Sequence, residues 1–477
     1  MKPSRLVTLF FLMIAFCAGG LVPAQTPAPP APAKPAAPDI AALDRTIASE
    51  LESRGLVGLS AAVMIDGKIV LAKGYGKAVA GGAPVTPETP FAIGSITKQF
   101  TCACVLKLAE AGKLHVTDKV AKYYPGLTRA SDITLLDLMN HVSGYRDYYP
   151  LDFVDRPMAR PIAADELIRR FAGGPLDFEP GSRYSYSNTG FVILGRVVEK
   201  VSGKTFGQFL TDEILVPLGL RHTLYEPEPA TPGLAQGHTT FALSDPEKAI
   251  PEAKDWIAAA GAIYSTASDL AAWDLALMTG KVLKPDSYAL MTRTRQLTDG
   301  RTSWYGCGLS LSYRNGRMVI SHGGAVSGFV ASNLAVPGTK SAAILLSNFE
   351  GGGPAAVFDK LVQAILPSPQ TIDVPTIAGP PALEAQKKML AAYRAGKVDR
   401  ALLGDEFSFF LTEAKLRTAS LKLKPYGEPE KADLESTNER GGMEVSVVRF
   451  TFAKGTLRGL MYRTPDGKVQ QFFVSKV

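Results

Sequence analysis

The run Phe91-Ala-Ile-Gly94-Ser95-Ile-Thr-Lys98-Gln-Phe100-Thr101 sets a serine three residues ahead of a lysine. Residues at i and i+3 share one helix face about a turn apart, so a hydroxyl and an amine spaced this way meet. A serine hydroxyl is a weak nucleophile until an adjacent base takes its proton. Ser95 and Lys98 therefore form a candidate nucleophile and proton acceptor, and no other Ser-x-x-Lys occurs in the chain. Gly94 lets the backbone turn tightly before a helix. Ser95 then falls at the helix N-terminus, where free N–H groups and the dipole favour developing negative charge.

Two further stretches carry chemistry. In Arg183-Tyr-Ser-Tyr186-Ser-Asn188-Thr-Gly190, Tyr186 and Asn188 are two apart and share a side of an extended segment. A tyrosine near two cations is expected to lose its proton more easily than its usual pKa of about 10 allows, and so to relay one. Asn188 offers an amide to a substrate carbonyl. In Ile320-Ser-His322-Gly323-Gly324-Ala325, the motif is expected to end a strand and open a turn. The glycines there let a substrate approach the backbone. The Ala325 N–H, with that of Ser95, is the expected oxyanion hole. Taken alone, each stretch also suits a plain structural role: a serine cap, a polar loop, a histidine beside a turn.

These residues need elements to hold them. An amphipathic helix is expected from Asp39 towards Arg54, then two apolar runs, Gly58 to Ile65 and Lys68 to Ala72. Asp66-Gly67 between them signals a type I′ hairpin. From Ile96 to Leu297 the pattern is mainly helical, with Phe100, Cys104 and Leu108 forming an apolar back behind Ser95 and Lys98. Strand-like runs return at 318–321, 328–336 and 341–347. The economical fold is α/β (α+β): early and late strands join in one antiparallel sheet, and the helical region packs beside it. A Pro-rich stretch, 367–382, reads as a linker. One or two helices over 383–403 and strands at 444–453, 457–463 and 468–474 then make a small α+β accessory domain, 383–477.

Composition narrows the class. The 477 residues include 46% hydrophobic ones and carry a net charge of +7. That suits a soluble, mildly basic, two-domain protein. The basic residues are spread out, without a basic run, so no nucleic-acid partner is expected. Lys2 and Arg5, the apolar run Leu6 to Cys17 and Val22-Pro-Ala24 read as a signal peptide over 1–24. Residues 25–38 form an Ala/Pro-rich spacer. A periplasmic or secreted protein follows, without a transmembrane segment. A lipid anchor at Cys17 is not expected, because Phe16 is bulky where that signal needs a small residue. Cys102 and Cys104 point to different helix faces and should not pair with each other; a bridge from one of them to Cys307 stays open. No metal-ligand spacing is present, and no cofactor is expected.

Taken together and in this order, the three motifs resemble the serine β-lactamase and penicillin-binding-protein superfamily, in its class C β-lactamase-related branch. That branch has Tyr-x-Asn at the centre, and many of its members carry His-x-Gly at the third site. The lead-in Phe91-Ala-Ile-Gly94 and the stretch Thr134-Leu-Leu-Asp-Leu-Met-Asn-His141-Val-Ser-Gly144 are similar to that family too. The resemblance covers Asp39 to Leu366. It implies that Ser95 is acylated, that Lys98 and Tyr186 share the base and acid work, and that Asn188 positions the acyl amide. It implies further that His322, Gly323 and Gly324 line the strand edge; His141 is read as bracing a loop.

The third motif is His-Gly-Gly where β-lactam-active members have Lys-Thr-Gly. A histidine is mostly neutral at pH 7, and Gly323 lacks a hydroxyl, so a substrate carboxylate is poorly held. An esterase or D-amino-acid peptidase is the expectation, with weak or absent β-lactamase activity. Its substrates would be small molecules or peptides, cell-wall-derived ones included. The alternatives are a class C-like β-lactamase or DD-carboxypeptidase, and a non-turnover penicillin-binding-like sensor or scaffold.

Overall fold

Two strands buried on both faces organise the larger sheet. β1 (Gly58–Ile65) sends Leu59, Ala61 and Val63 into one apolar core and Ala62 and Met64 into another. Side chains alternate across a strand, so a strand apolar at every position needs cover on both sides. The same holds for β6 (Ser341–Ser347), which is buried throughout. β1 and β6 pair antiparallel, with Leu59 opposite Ser347, so the ends of the domain meet at the sheet centre. β2 (Lys68–Gly76), β3 (Ser310–Arg314), β4 (Arg317–Val326) and β5 (Phe329–Val336) complete it in the order β3-β4-β5-β6-β1-β2. The hairpin between β1 and β2 turns at Asp66 and Gly67, both at positive φ (50° and 76°), as a type I′ turn requires.

The computed structural model describes residues 38–149, 154–228, 231–240, 244–351, 353–366 and 374–476. The expected signal peptide, almost all of the spacer and much of the linker lie outside the described residues.

Helices cover both faces. α1 (Ile40–Ser53) starts where the Asp39 side chain accepts the Ala42 N–H, a standard N-cap. It packs with the late helix over Ala355–Ile365 on one face. The other face meets the helical region, in which α2 (Thr97–Glu110) is buried almost all round. α3 (Asn188–Ser202) and the short α4 (Ala258–Gly261) pack against α2. α5 (Ala267–Met278) lies against β1 and β6.

Two expectations at the strands are corrected. β4 does not end at Ser321: it runs on through His322, Gly323, Gly324 and Ala325, paired with β5, and the turn falls at Ser327-Gly328. Glycine-rich sequence hid a strand that its neighbour holds in register. β3 was not foreseen either.

Residues 382–476 form a third core of their own. Helices over Ala382–Ala395, Asp405–Phe410 and Glu413–Leu423 accompany a four-stranded meander: Lys431–Arg440, Met443–Phe452, Gly455–Arg463 and Val469–Lys476. The expected three strands are the last three. The first, Lys-Ala-Asp-Leu-Glu-Ser-Thr-Asn-Glu-Arg, has too few apolar residues to show a period of two; its pairing with the next strand makes it. The two later helices were also missed.

One core contact makes a test. The Asp274 carboxyl on α5 is fully buried, and its hydrogen-bond partner is the Asn333 amide of β5, at 3.0 and 3.1 Å. Burial pushes its pKa from the ordinary 3.8 up to about 7, and the Asn333 bond only partly opposes this. A raised folded-state pKa costs stability as pH climbs through the unfolded value, and the cost is complete above the folded one. Asp274→Asn is therefore expected to raise the unfolding temperature at pH 8 by several degrees. Thermal scans should show that gain shrinking by pH 5.

Candidate active site

Ser95 sits in a single 3₁₀ turn, Gly94–Ile96, that leads directly into α2. Two glycines allow this turn to press against β4. Gly94 has φ +49°, and a Cβ there would lie 2.8 Å from the Ala325 N. A Cβ on Gly324 would lie 1.9 Å from the Ile93 carbonyl oxygen and 3.2 Å from the Ser95 N. The backbones of Ser95 and Ala325 are thus neighbours. β3 pairs with β4 only as far as Ser321, so residues 322–326 have no strand along that edge.

Lys98, one turn on, is fully buried. Its Nζ lies 2.9 Å from Ser95 Oγ, 2.8 Å from Asn188 Oδ1 and 2.7 Å from the Ala260 carbonyl oxygen. Desolvation lowers its pKa from 10.5 to about 7, with the nearby Asp147 charge opposing. The amine is therefore poised between its two forms at neutral pH. Asn188 is the first residue of α3, and its Nδ2 faces the Asp147 carboxylate at 3.1 and 3.3 Å. A carboxylate only accepts, which fixes the amide's other end on Lys98.

Tyr186 is drawn to the same point but not in the expected state. Burial pushes its phenol well above the usual range, with the Ser95 hydroxyl acting in the opposite direction. Burial, and after it the Lys98 charge, takes the His322 pKa down to about 4 and leaves the ring neutral. Lys98 Nζ itself stands over the Tyr186 ring, 4.8 Å from the centroid. So Tyr186 keeps its proton at neutral pH.

His322 is committed on both nitrogens. Nδ1 meets the Gly323 carbonyl, which only accepts, so Nδ1 carries the hydrogen. Nε2 then accepts from the buried Tyr305 hydroxyl at 2.8 Å. The ring lines the cleft without offering a free nitrogen to it. His141, at φ +58°, accepts the Ser187 N–H at 3.0 Å and its carbonyl takes the Ser185 N–H, which braces the Tyr186 segment. Cys102, Cys104 and Cys307 are all buried free thiols.

Ser95, Tyr186, Asn188, His322, Gly323, Gly324 and Ala325 line one open cleft of about 770 Å³, with Lys98 beneath. Asp147, Tyr305 and the Ala260 carbonyl were not singled out from the sequence. Asp147 lies three residues past the Thr134–Gly144 stretch, and Tyr305 begins a Gly-bounded turn. Both are legible as polar residues in the right neighbourhood, but nothing in their spacing pairs them with Asn188 or His322. A backbone carbonyl has no sequence signal. The run Ala258-Ala-Ala-Gly261 only shows that something packs closely, as it does against Gly195 of α3.

Comparison with known proteins gives the family of the chain. Residues 43–366 match the model of the Beta-lactamase family. The chain belongs to that family of serine hydrolases. It is 28% identical over 341 residues to a D-aminopeptidase of Brucella anthropi, across 70% of this chain and 64% of that protein. The chain thus spans less than two thirds of that relative. Among solved structures, the D-amino acid amidase of Ochrobactrum anthropi SV3 is 25% identical, with TM-score 0.58, over 68% of this chain and 98% of its own. The octameric penicillin-binding protein homologue from Pyrococcus abyssi shares the fold, at 21% identity and TM-score 0.63. It covers 92% of this chain, so the likeness of fold reaches past residue 366.

The two glycines of the third motif should behave differently. A Cβ on Gly323 meets nothing nearer than the Ala331 carbonyl oxygen at 3.8 Å. Gly324→Ala should destabilise the protein by about 1–3 kcal/mol through overpacking, and Gly323→Ala by less than about 0.5 kcal/mol. Denaturant titration of the two variants checks this.

Proposed function

We propose that the protein hydrolyses amides or esters through an acyl-enzyme on Ser95. The observation that carries the reading is the Ser95 hydroxyl 2.9 Å from an amine that burial holds near a pKa of 7. Ser95 Oγ attacks the substrate carbonyl carbon while its proton passes to Lys98 Nζ. The oxyanion takes the Ser95 and Ala325 N–H groups. When the tetrahedral intermediate collapses, the bond to the leaving group breaks, and protonated Tyr186 supplies that group with a proton. Lys98 provides the replacement. Water then cleaves the Ser95 ester by the same path. Asn188, with its oxygen on Lys98 and one N–H of Nδ2 on Asp147, presents the other N–H to the acyl part, and His322, Gly323 and Gly324 form the wall against which the substrate lies.

The cleft also favours one kind of substrate. Its described lining includes Asp147 and Glu350 but no lysine or arginine, and His322 is neutral. A substrate carboxylate finds no counter-charge at this rim, whereas a free amine does. With relatives named as a D-aminopeptidase and a D-amino acid amidase, the reading that fits is hydrolysis of amides, esters or short peptides of D-amino acids with a free amino group. Residues 39–366 would carry this activity and 383–477 would be an accessory domain, joined by the linker, with export directed by residues 1–24.

Steady-state assays on D- and L-alanine p-nitroanilides, an N-acetylated D form, a p-nitrophenyl ester and a chromogenic cephalosporin test this. The D-aminoacyl substrate and the ester should turn over and lose all turnover in Ser95→Ala. N-acetylation should lower kcat/KM about tenfold or more, the scale of one charged contact. Fast cephalosporin hydrolysis, or ester turnover that survives Ser95→Ala, contradicts the reading.

A further inference from the structure

Asp147 touches no part of the Ser95–Lys98 pair by hydrogen bond, yet it sits behind the residue that does. Its carboxylate accepts the Asn188 backbone N–H at 3.0 Å, the Asn188 Nδ2 at 3.1 and 3.3 Å, and the Tyr149 N–H at 3.3 Å. The Asn188 N–H is one of those a helix leaves unpaired at its start, so the carboxylate clamps both the helix end and the side chain. An amide facing a carboxylate must turn its NH2 to it. The Asn188 Oδ1 is thereby held towards Lys98, at 2.8 Å.

That orientation has a consequence at the amine. A neutral lysine has two N–H bonds and one lone pair. Two of its three neighbours, Asn188 Oδ1 and the Ala260 carbonyl, only accept, and they take both N–H bonds. The lone pair is left for the third neighbour, the Ser95 hydroxyl. With the amide reversed, its NH2 would compete for the lone pair and an amine N–H would point at Ser95 instead. That is the wrong direction for removing a proton.

We propose that Asp147 is a positioning residue: by locking the Asn188 amide it sets the direction of the Ser95–Lys98 hydrogen bond, so that the serine donates and the lysine accepts. The inference rests on the acyl-enzyme reading above. Asp147 acts on Lys98 a second way, since its charge favours the ammonium against desolvation. The other titratable groups about the amine are Cys102 on α2, Tyr186 and His141 from the segments over it, and His322 on β4. Both histidines are held neutral, the thiol is pushed up by burial and the phenol keeps its proton. Asp147 is thus the carboxylate of this set whose charge acts on the amine.

The test is the pH dependence of kcat/KM for a p-nitrophenyl ester, normalised to active sites by the acylation burst. Asp147→Asn and Asp147→Ser are compared with the wild type and Ser95→Ala. Either Asp147 variant should shift the acid limb to lower pH, because Lys98 loses its proton more readily without the carboxylate. Each should also lower kcat per active site about tenfold or more, the scale of a misdirected general base. Asp147→Glu, which keeps the charge, should leave the acid limb where the wild type has it. An unmoved limb in Asn and Ser variants, with only fewer active sites, makes Asp147 a structural brace and overturns the proposal. Wild-type turnover that survives Ser95→Ala removes the underlying reading and the proposal with it.

Discussion

A buried amine held by two carbonyl oxygens and a serine hydroxyl is the constraint on which the rest of this structure turns. Lys98 has no accessible surface, and an isolated ammonium in such a place is costly. The protein meets the cost in part with the carbonyls of Asn188 and Ala260, and in part with the Asp147 charge. What remains lowers the amine's pKa to about 7. In the proposed mechanism the same burial that makes the residue hard to keep makes it useful, since a base works best when its pKa lies near the operating pH.

Bringing those three groups to the amine demands close packing from three directions. The Ala260 carbonyl reaches Lys98 because α4 is built from alanine and glycine and lies against α3 at Gly195, where a Cβ would meet the Ala259 Cβ at 2.4 Å. The Asn188 amide reaches it because α3 starts at that residue. Ser95 is held from the third side by the 3₁₀ turn pressed on β4 at Gly94 and Gly324. The sheet that carries β4 is in turn anchored by β1 and β6, buried on both faces. The candidate active-site turn therefore rests on a sheet whose central strands are buried on both faces.

How far the sequence disclosed this depends on what kind of signal each part leaves. The β1–β2 hairpin was legible from Asp66-Gly67, and the joining of early and late strands from their apolar runs. Ser95, Lys98, Tyr186 and Asn188 were legible as motifs, and the structure brings all four to one cleft. What the motifs did not carry was environment. Tyr186 looked acidified by nearby cations, but desolvation dominates and pushes its phenol up. The strand through His322 to Val326 was hidden by its glycines, and the strand over 431–440 by its polar residues; pairing with a neighbour makes both. Asp147 and Ala260 act through contacts between segments far apart in the chain, which no local pattern records.

The central claim is that Lys98 is half-deprotonated near neutral pH in the resting protein. The direct measurement is an NMR titration of the lysine side chains, with the Lys98 signal assigned by its loss in Lys98→Arg. A midpoint near 7, against midpoints near 10 for the exposed lysines, is the result this account predicts. A Lys98 signal that stays protonated up to pH 10 would contradict it, and would mean that Ser95 is activated by some other group.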